Sequence, residues 1–292
     1  MIQYLKNNEI DFKKYDACIE SAINSRIYAY SWYLNCVADN WDALVLNDYE
    51  AVMPLPWRQK YFIKYIYPPA WTQQLGVFSS AEVHETLMEE FVNSIPKKFK
   101  KITIQFNSQN NVSLIKTEKR INYVLDLNKP YETLLKSFRK DRKYRLNQIN
   151  NKKFIIKNTT IDELILLGKI DYSYLKIENK SYQNLKSLSE IVLINDSGFL
   201  LGVYDANNHF LGGSMFLKDN TRVTYLYSVA TEMGKKNHVI SLVLANVIKE
   251  FSLSNFVLDF EGSMIKGISS FYKSFGGKTE EYSSFQKSIQ LF

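Results

Sequence analysis

Cysteine is almost missing from this chain. Cys18 and Cys36 are the only two in 292 residues, and one pair without metal-type spacing argues against a disulfide scaffold or a zinc ribbon. Both fall in helix-like segments, so they are expected as reduced, small buried hydrophobes in a cytoplasmic protein. Histidine is nearly as scarce: His84, His209 and His238 are the whole set. With no HExxH, no CxxC and no clustered carboxylates, no metal is expected. The 11 glycines form neither GxGxxG nor GxxxxGK[ST], which leaves dinucleotide-binding and P-loop mechanisms without support. No apolar run approaches the roughly 20 residues that span a bilayer. The first residues, Met1 to Glu9, lack a basic-then-apolar leader pattern. A cytoplasmic protein without a transmembrane segment is expected, one still able to touch a membrane surface.

What the chain does have is apolar and aromatic bulk. Apolar residues make up 46%, with Tyr 20 and Phe 18, enough for one large domain or two ordinary ones. The net charge of +7 favours an anionic partner such as a nucleotide, phosphate, RNA or membrane surface, or serves solubility alone.

Along the chain, Phe12, Tyr15, Cys18, Ile19 and Ile23 recur at helical spacing, and Ser31 is placed to cap a helix through Val37. Strands are expected at 43–46 and 51–55 around a turn at Asn47-Asp48, with extended chain at 65–67 and 74–77. Ser79-Ser80-Ala81-Glu82 reads as a capping box opening a helix to about Ile95, and 101–106 as a strand. The second half repeats the order: strand 199–204, turn 205–208, strands 210–217 and 223–229, a helix after Gly234, strand 256–260. Val45 maps onto Val203 and Ile104 onto Leu258, which suggests a duplication. A polar helical region covers 161–194, and no Pro/Gly/Ser-rich linker separates the halves.

Strand 256–260 runs into an acidic turn, Glu261-Gly262-Ser263, a short helix, and Phe271-Tyr272-Lys273-Ser274-Phe275-Gly276-Gly277. This resembles the last helix of the GNAT acyltransferase superfamily, roughly Leu-Tyr-x-x-x-Gly-Phe. It is similar also to Fem-type peptidyltransferases, whose corresponding helix ends Lys-x-x-Phe-Gly-Gly. The resemblance implies an α/β protein of two tandem GNAT-like domains, each a mixed, mostly antiparallel sheet flanked by helices. They are drawn here as 1–127, for the acceptor, and 128–292, for the donor and the chemistry.

The resemblance also implies site residues. The donor's acyl group would enter between splayed strands, its oxyanion held by backbone N–H groups at Ser228, Val229 and Ala230. Tyr272 matches the general acid of the closing helix; the same ring can serve only to pack against Phe271 and Phe275. Asp259 and Glu261 are the candidate bases, Glu261 ahead because it sits at the cleft mouth; either can instead stabilise the turn or cap the helix. Lys273 is placed to orient a carboxylate or phosphate, or to stand solvated. GNAT enzymes hold the coenzyme A diphosphate with Gln/Arg-x-x-Gly-x-Gly/Ala, and here Thr231-Glu232-Met233-Gly234-Lys235-Lys236-Asn237 keeps only Gly234. Lys235 and Lys236 add charge to that loop. Fem-like proteins use aminoacyl-tRNA instead, which a degenerate loop fits.

The strongest basic run is Lys136 to Arg145. On one helix, Arg139, Arg142 and Arg145 recur every three residues, an anion-binding edge or a solvated face. It resembles the basic helix that opens the second domain of Fem-like proteins. Trp57, Arg58, Gln73, Gln74 and Trp32 are candidates to grip an acceptor in the first domain, or to fill its core.

Three functions stay open. One is an aminoacyl-tRNA-dependent transferase forming an amide on a cell-wall precursor or similar anionic acceptor, with tRNA as a partner. The second is a coenzyme A-dependent N-acyltransferase on a sugar or peptide amine. The third is a GNAT-like binding protein without catalysis. No tightly bound cofactor is expected; the donor is aminoacyl-tRNA or acyl-CoA.

Overall fold

The computed structural model describes residues 1–150, 152–175, 177–262 and 264–288, residue 150 in its backbone alone. Ser263 of the acidic turn lies outside the described residues. The chain forms two compact units, Met1–Arg120 joined by the chain from Glu281 onward, and Ile121–Glu280. Against the division drawn at 127/128, the first unit closes at Arg120 and the last strand returns to it.

In the first unit β1 (Ile2–Leu5) leads to α1 (Phe12–Ser21) and α2 (Ser31–Val37). Asp11 caps α1 by accepting from the N–H groups of Lys13 and Lys14, and Tyr15, Cys18 and Ile19 form its buried face. Burial pushes the Cys18 thiol up to about 11, as a small core residue requires. β2 (Asn40–Leu46) and β3 (Ala51–Lys60) form a hairpin, with β1 on the outer edge of β2. β4 (Ile63–Ile66) folds back on β3. β5 (Phe78–Ser79) pairs with the start of β3. α3 (Glu85–Asn93) crosses over to β6 (Phe99–Phe106), which lies parallel to β4. The expected capping box does not form: His84 is the N-cap of α3. The Ser79 hydroxyl instead donates to the Glu50 carbonyl at 2.9 Å and accepts from the Ala81 N–H.

β7 (Thr117–Asp126) carries the chain into the second unit. The basic run forms two helices, α4 (Tyr131–Ser137) and α5 (Lys140–Asn150), because Phe138 turns extended between them. Phe138 is buried edge-on against Phe275, ring centres 5.2 Å apart, so packing overrides helical continuity. After β8 (Ile155–Asn158), α6 (Ile161–Asp171) and α7 (Asn179–Ile194) come three antiparallel strands: β9 (Gly198–Tyr204), β10 (Phe210–Lys218) and β11 (Arg222–Ala230). α8 (Glu232–Lys236) and α9 (Val239–Glu250) cross over to β12 (Val257–Asp259), parallel to β11 and antiparallel to β7. α10 (Lys266–Lys273) and β13 (Lys278–Ser288) complete the described chain, and Ser283–Ser288 pair with β6 in the first unit. Gly276, at φ +82, supplies the left-handed residue that reverses the chain after α10.

Each unit therefore has antiparallel strands followed by one parallel pair bridged by a helix. Val45 and Val203 lie on β2 and β9, Ile104 and Leu258 on β6 and β12.

Candidate active site in the second unit

β11 is nine residues long, yet only Arg222, Val223 and Thr224 pair with β12. The register with β10 slips between Met215 and Phe216, whose partners are Tyr227 and Tyr225. Leu226 is thus an extra residue on β11, and a bulge of this kind bends the strand. From Tyr225 to Ala230, the side of β11 that faced β12 has no strand partner among the described residues.

Alternation sets which backbone groups face this gap. The Thr231 N–H donates to the Leu211 carbonyl on the β10 side. Two residues back, the Val229 N–H points the same way and is used in the sheet. Ser228 and Ala230 point into the gap, and the Ser228 carbonyl there accepts the Tyr172 hydroxyl at 2.5 Å. Of the backbone donors expected at Ser228, Val229 and Ala230, the outer two fit and Val229 does not.

Hydroxyls line the gap. Tyr225 donates to the Ser228 hydroxyl, and the Tyr272 ring lies 6.3 Å from that of Tyr225 and stacks on Phe260 at 5.1 Å. Burial raises the Tyr272 hydroxyl well above its usual value, helped by Tyr225, Glu261, Tyr172 and Asp259 nearby. Burial likewise pushes Tyr172 up to about 12. Tyr272 is thus both a packed ring and a polar group beside Glu261.

Asp259 has another task. It is buried, ion-paired with Arg222 at 2.8 Å. Its other oxygen accepts from Asn122 and from the Glu261 N–H, both at 2.9 Å. Burial alone would lower the Arg222 guanidinium; Asp259 and Glu280 outweigh it and raise it. A carboxylate so engaged is no free base. It pins the turn in which Glu261 adopts φ +51, left-handed backbone that persists where surroundings impose it.

The loop after β11 departs from a simple phosphate cradle. Gly234 is buried where a Cβ would come within 2.0 Å of the Leu211 carbonyl, and its N–H donates to the Thr231 hydroxyl. Packing alone accounts for this glycine. Lys235 is ion-paired with Asp171 and Glu232, which raise its amine, so it brings no spare charge. Lys236 is exposed. Asn237 donates to the Met233 carbonyl at 2.8 Å and accepts from Lys152.

The spare charge comes from α5. Arg142 is 3% exposed and lies over the rings of Phe271 and Phe275 at 4.6 and 4.7 Å. It donates to the hydroxyls of Ser274, at 2.9 Å, and Ser241, with no carboxylate paired to it among the described residues. Burial, then Arg145 and Arg139, pull its guanidinium down to about 10. Arg145 reaches the His238 ring at 3.5 Å, and burial with Arg145, Arg142 and Lys152 lowers His238. His238 and Ser241 open α9, whose first N–H groups add positive potential. Arg139 belongs elsewhere: it clamps Asp141 and donates to Ser270 at 3.0 Å. The three arginines do not form one edge. Two of them meet the donor loop at the start of α9, which the sequence reading treats as a separate site. Lys273 is exposed, 5.5 Å from the Tyr123 ring.

The first-unit candidates are not gathered into one wall. Trp57 lines a cavity of about 430 Å³ with Lys64 over its ring at 4.5 Å. Arg58 pairs with Asp39 at 2.6 Å and stacks on Tyr67. Gln74 is buried, accepting from the Ser108 N–H and donating to Gln73. Trp32 stacks on Tyr30. Tyr172, Tyr225, Lys152 and Ser241 escape the sequence reading, because their partners lie far along the chain.

Among the described residues no group of three metal-ligating side chains occurs, and no helix is long and apolar enough to cross a membrane.

No protein-family model matches the chain, and no curated protein matches its sequence. Solved structures do. FemX superposes with a TM-score of 0.70 at 12% identity over 96% of both chains. The C-terminal domain of a putative lysylphosphatidylglycerol synthetase from Agrobacterium fabrum gives 0.59 at 9% identity, over 94% of this chain and 90% of its own. A GCN5-related N-acetyltransferase from Sphaerobacter thermophilus gives 0.51 at 9%, over 99% and 96%. The chain thus has a Fem-like, GNAT-type fold.

Proposed function

We propose that this chain transfers an aminoacyl group from tRNA to an amine, through two GNAT-type domains of which the second does the chemistry. One observation carries the reading. The strand whose Ser228 and Ala230 N–H groups face an open gap leads, through the short α8, to the start of α9, where buried Arg142, with Arg145, has no carboxylate to pair with among the described residues. A donor that joins a reactive carbonyl to phosphates matches both halves of that arrangement.

The acceptor amine attacks the ester carbonyl carbon and Glu261 takes the amine proton. The N–H groups of Ser228 and Ala230 hold the oxyanion. The C–O bond then breaks, and Tyr272 donates to the departing ribose oxygen. The Tyr272 hydroxyl keeps its proton at neutral pH and can pass it only to a strongly basic leaving group. An alkoxide is a stronger base than tyrosinate and takes its proton, whereas a coenzyme A thiolate is a weaker one and has no need of it. The resemblance to Fem-like proteins and the neutralised Lys235 favour the same donor.

The test is filter binding with charged tRNA beside a thermal-shift titration with coenzyme A. Saturable tRNA binding, weakened about tenfold by Arg142→Met, is expected, with no shift from coenzyme A. A saturable coenzyme A shift without tRNA binding would replace the donor with a thioester. Binding of neither would end the transferase reading.

A further inference from the structure

We propose that the β3–β4 hairpin of the first unit docks the protein on a bilayer surface that carries anionic lipid. Lys60 pairs directly with Ile63, so Tyr61 and Phe62 form a two-residue loop. Both have positive φ, 46° and 65°, the geometry of a type I′ turn that strongly prefers Asn-Gly. Two bulky aromatic residues there are conformational outliers. Burial does not explain them: Tyr61 is 82% exposed, with the Lys60 amine 5.5 Å from its ring, and Phe62 is 96% exposed. Strain kept at an exposed tip, with apolar rings as its only product, points to a contact made outside the chain.

Charge defines that contact. β4 runs parallel to β6 with Lys64 beside Phe99 and Tyr65 beside Lys101, so the tip lies at the same end of the sheet as residues 97–101. Lys60, Lys64, Lys97, Lys98, Lys100 and Lys101 gather there, and none of the six makes an ion pair among the described residues. Successive residues of a strand face opposite ways, and lysines occupy both faces. Lys64 and Lys98, with Lys6, line the cavity of about 430 Å³ beside Trp57, where Asp39 and Asp42 also sit. Lys60 and Lys101 line a second of about 410 Å³ with Tyr61, Tyr65 and Tyr67. A ring of cations around a protruding aromatic point fits lipid phosphates around an interface into which rings insert. Nucleic-acid bases are instead stacked on platforms within a charged groove, and Phe62 stands clear of any groove.

The experiment is co-sedimentation of the whole chain with phosphatidylcholine vesicles, with and without about 30 mol % phosphatidylglycerol. The protein should pellet with the anionic vesicles, and far less so at about 0.5 M salt. Tyr61→Asn with Phe62→Gly places the preferred residues in the turn, so the fold is kept, as a thermal melt would verify. This double variant should bind at least tenfold more weakly, on the order expected when inserted rings are lost. Lys60→Gln with Lys64→Gln should weaken binding by about tenfold as well. Failure of the native chain to pellet with anionic vesicles overturns the proposal, as does undiminished binding by the Asn-Gly variant. Binding of single-stranded RNA that the same variant abolishes, without vesicle binding, would also overturn it and reassign the hairpin to RNA.

Discussion

In the first unit β4 leaves β6 after Ile66, and the chain then comes back to fill the place it left. Leu75 donates to the Gln105 carbonyl at 2.8 Å and accepts from the Asn107 N–H at 2.7 Å, restoring a bridge to Phe106. Pro54, Pro56 and Pro68 crowd a residual hollow of about 10 Å³. In the second unit β11 leaves β12 after Thr224 and, among the described residues, no segment returns. One plan thus gives a sealed sheet in one unit and an open gap in the other. The difference lies in a dozen residues of connection rather than in the strands. A gap bounded by free N–H groups is costly unless a ligand or water uses them, which is why the open version is read as the working one.

The largest expected effect tests the open gap directly. Tyr272→Phe and Glu261→Gln should each lower single-turnover transfer by roughly 10²–10⁴, while Gln73→Ala at the sealed end leaves it within about twofold. Silence of both gap variants would remove the distinction between the units. Next in size is Asp259→Ala, which leaves the buried Arg222 to Glu280 alone and removes the acceptor of the Asn122 amide and the Glu261 N–H; it should cost about 3 kcal/mol in urea unfolding. Leu75→Pro, which removes the donor that seals the first unit, should cost about 3 kcal/mol and leave donor affinity unchanged.

Arg142→Met separates binding from stability. Removing a buried cation that has no carboxylate should leave the melting midpoint unchanged or raise it, while donor affinity falls. A lower midpoint with unaltered affinity would make Arg142 a packing residue. The smallest effect is at His238. Its value is depressed in the fold, so below about 6.5 the unfolded chain binds the proton first and native stability falls with pH. His238→Gln should flatten that decline in denaturation at pH 5–7. A bound phosphate should raise the ring's value, followed by NMR titration.

Much of this was legible from one dimension. The apolar periodicity of β9 to β11 and of α9, and the Tyr272 to Gly277 segment, announce the second unit because their patterns are local. The break at Phe138 was not legible, since its reason is the Phe275 ring far along the chain. Ser79 to Glu82 met the capping pattern, but strand pairing with Ala51 claimed Ser79 first. The arginines of α5 could be read as an anion site, but not as part of the donor loop, because that meeting is made by tertiary packing. Sequence put Glu261 only slightly ahead of Asp259; the position of Arg222 is what separates them.

The return of β13 to the first unit orders events on the ribosome. The second unit, Ile121–Glu280, has all its residues once Glu280 is made. The first unit, begun earlier, still lacks the strand that covers β6, because Ser283–Ser288 lie far beyond β6 in the chain. At roughly 5–20 residues per second, β6 keeps one open edge for on the order of ten seconds or more after it is synthesised. Such an edge invites pairing with other nascent chains. Lys100 and Lys101 stand at the start of β6, where gatekeeper charges flank an edge that must wait for its partner strand.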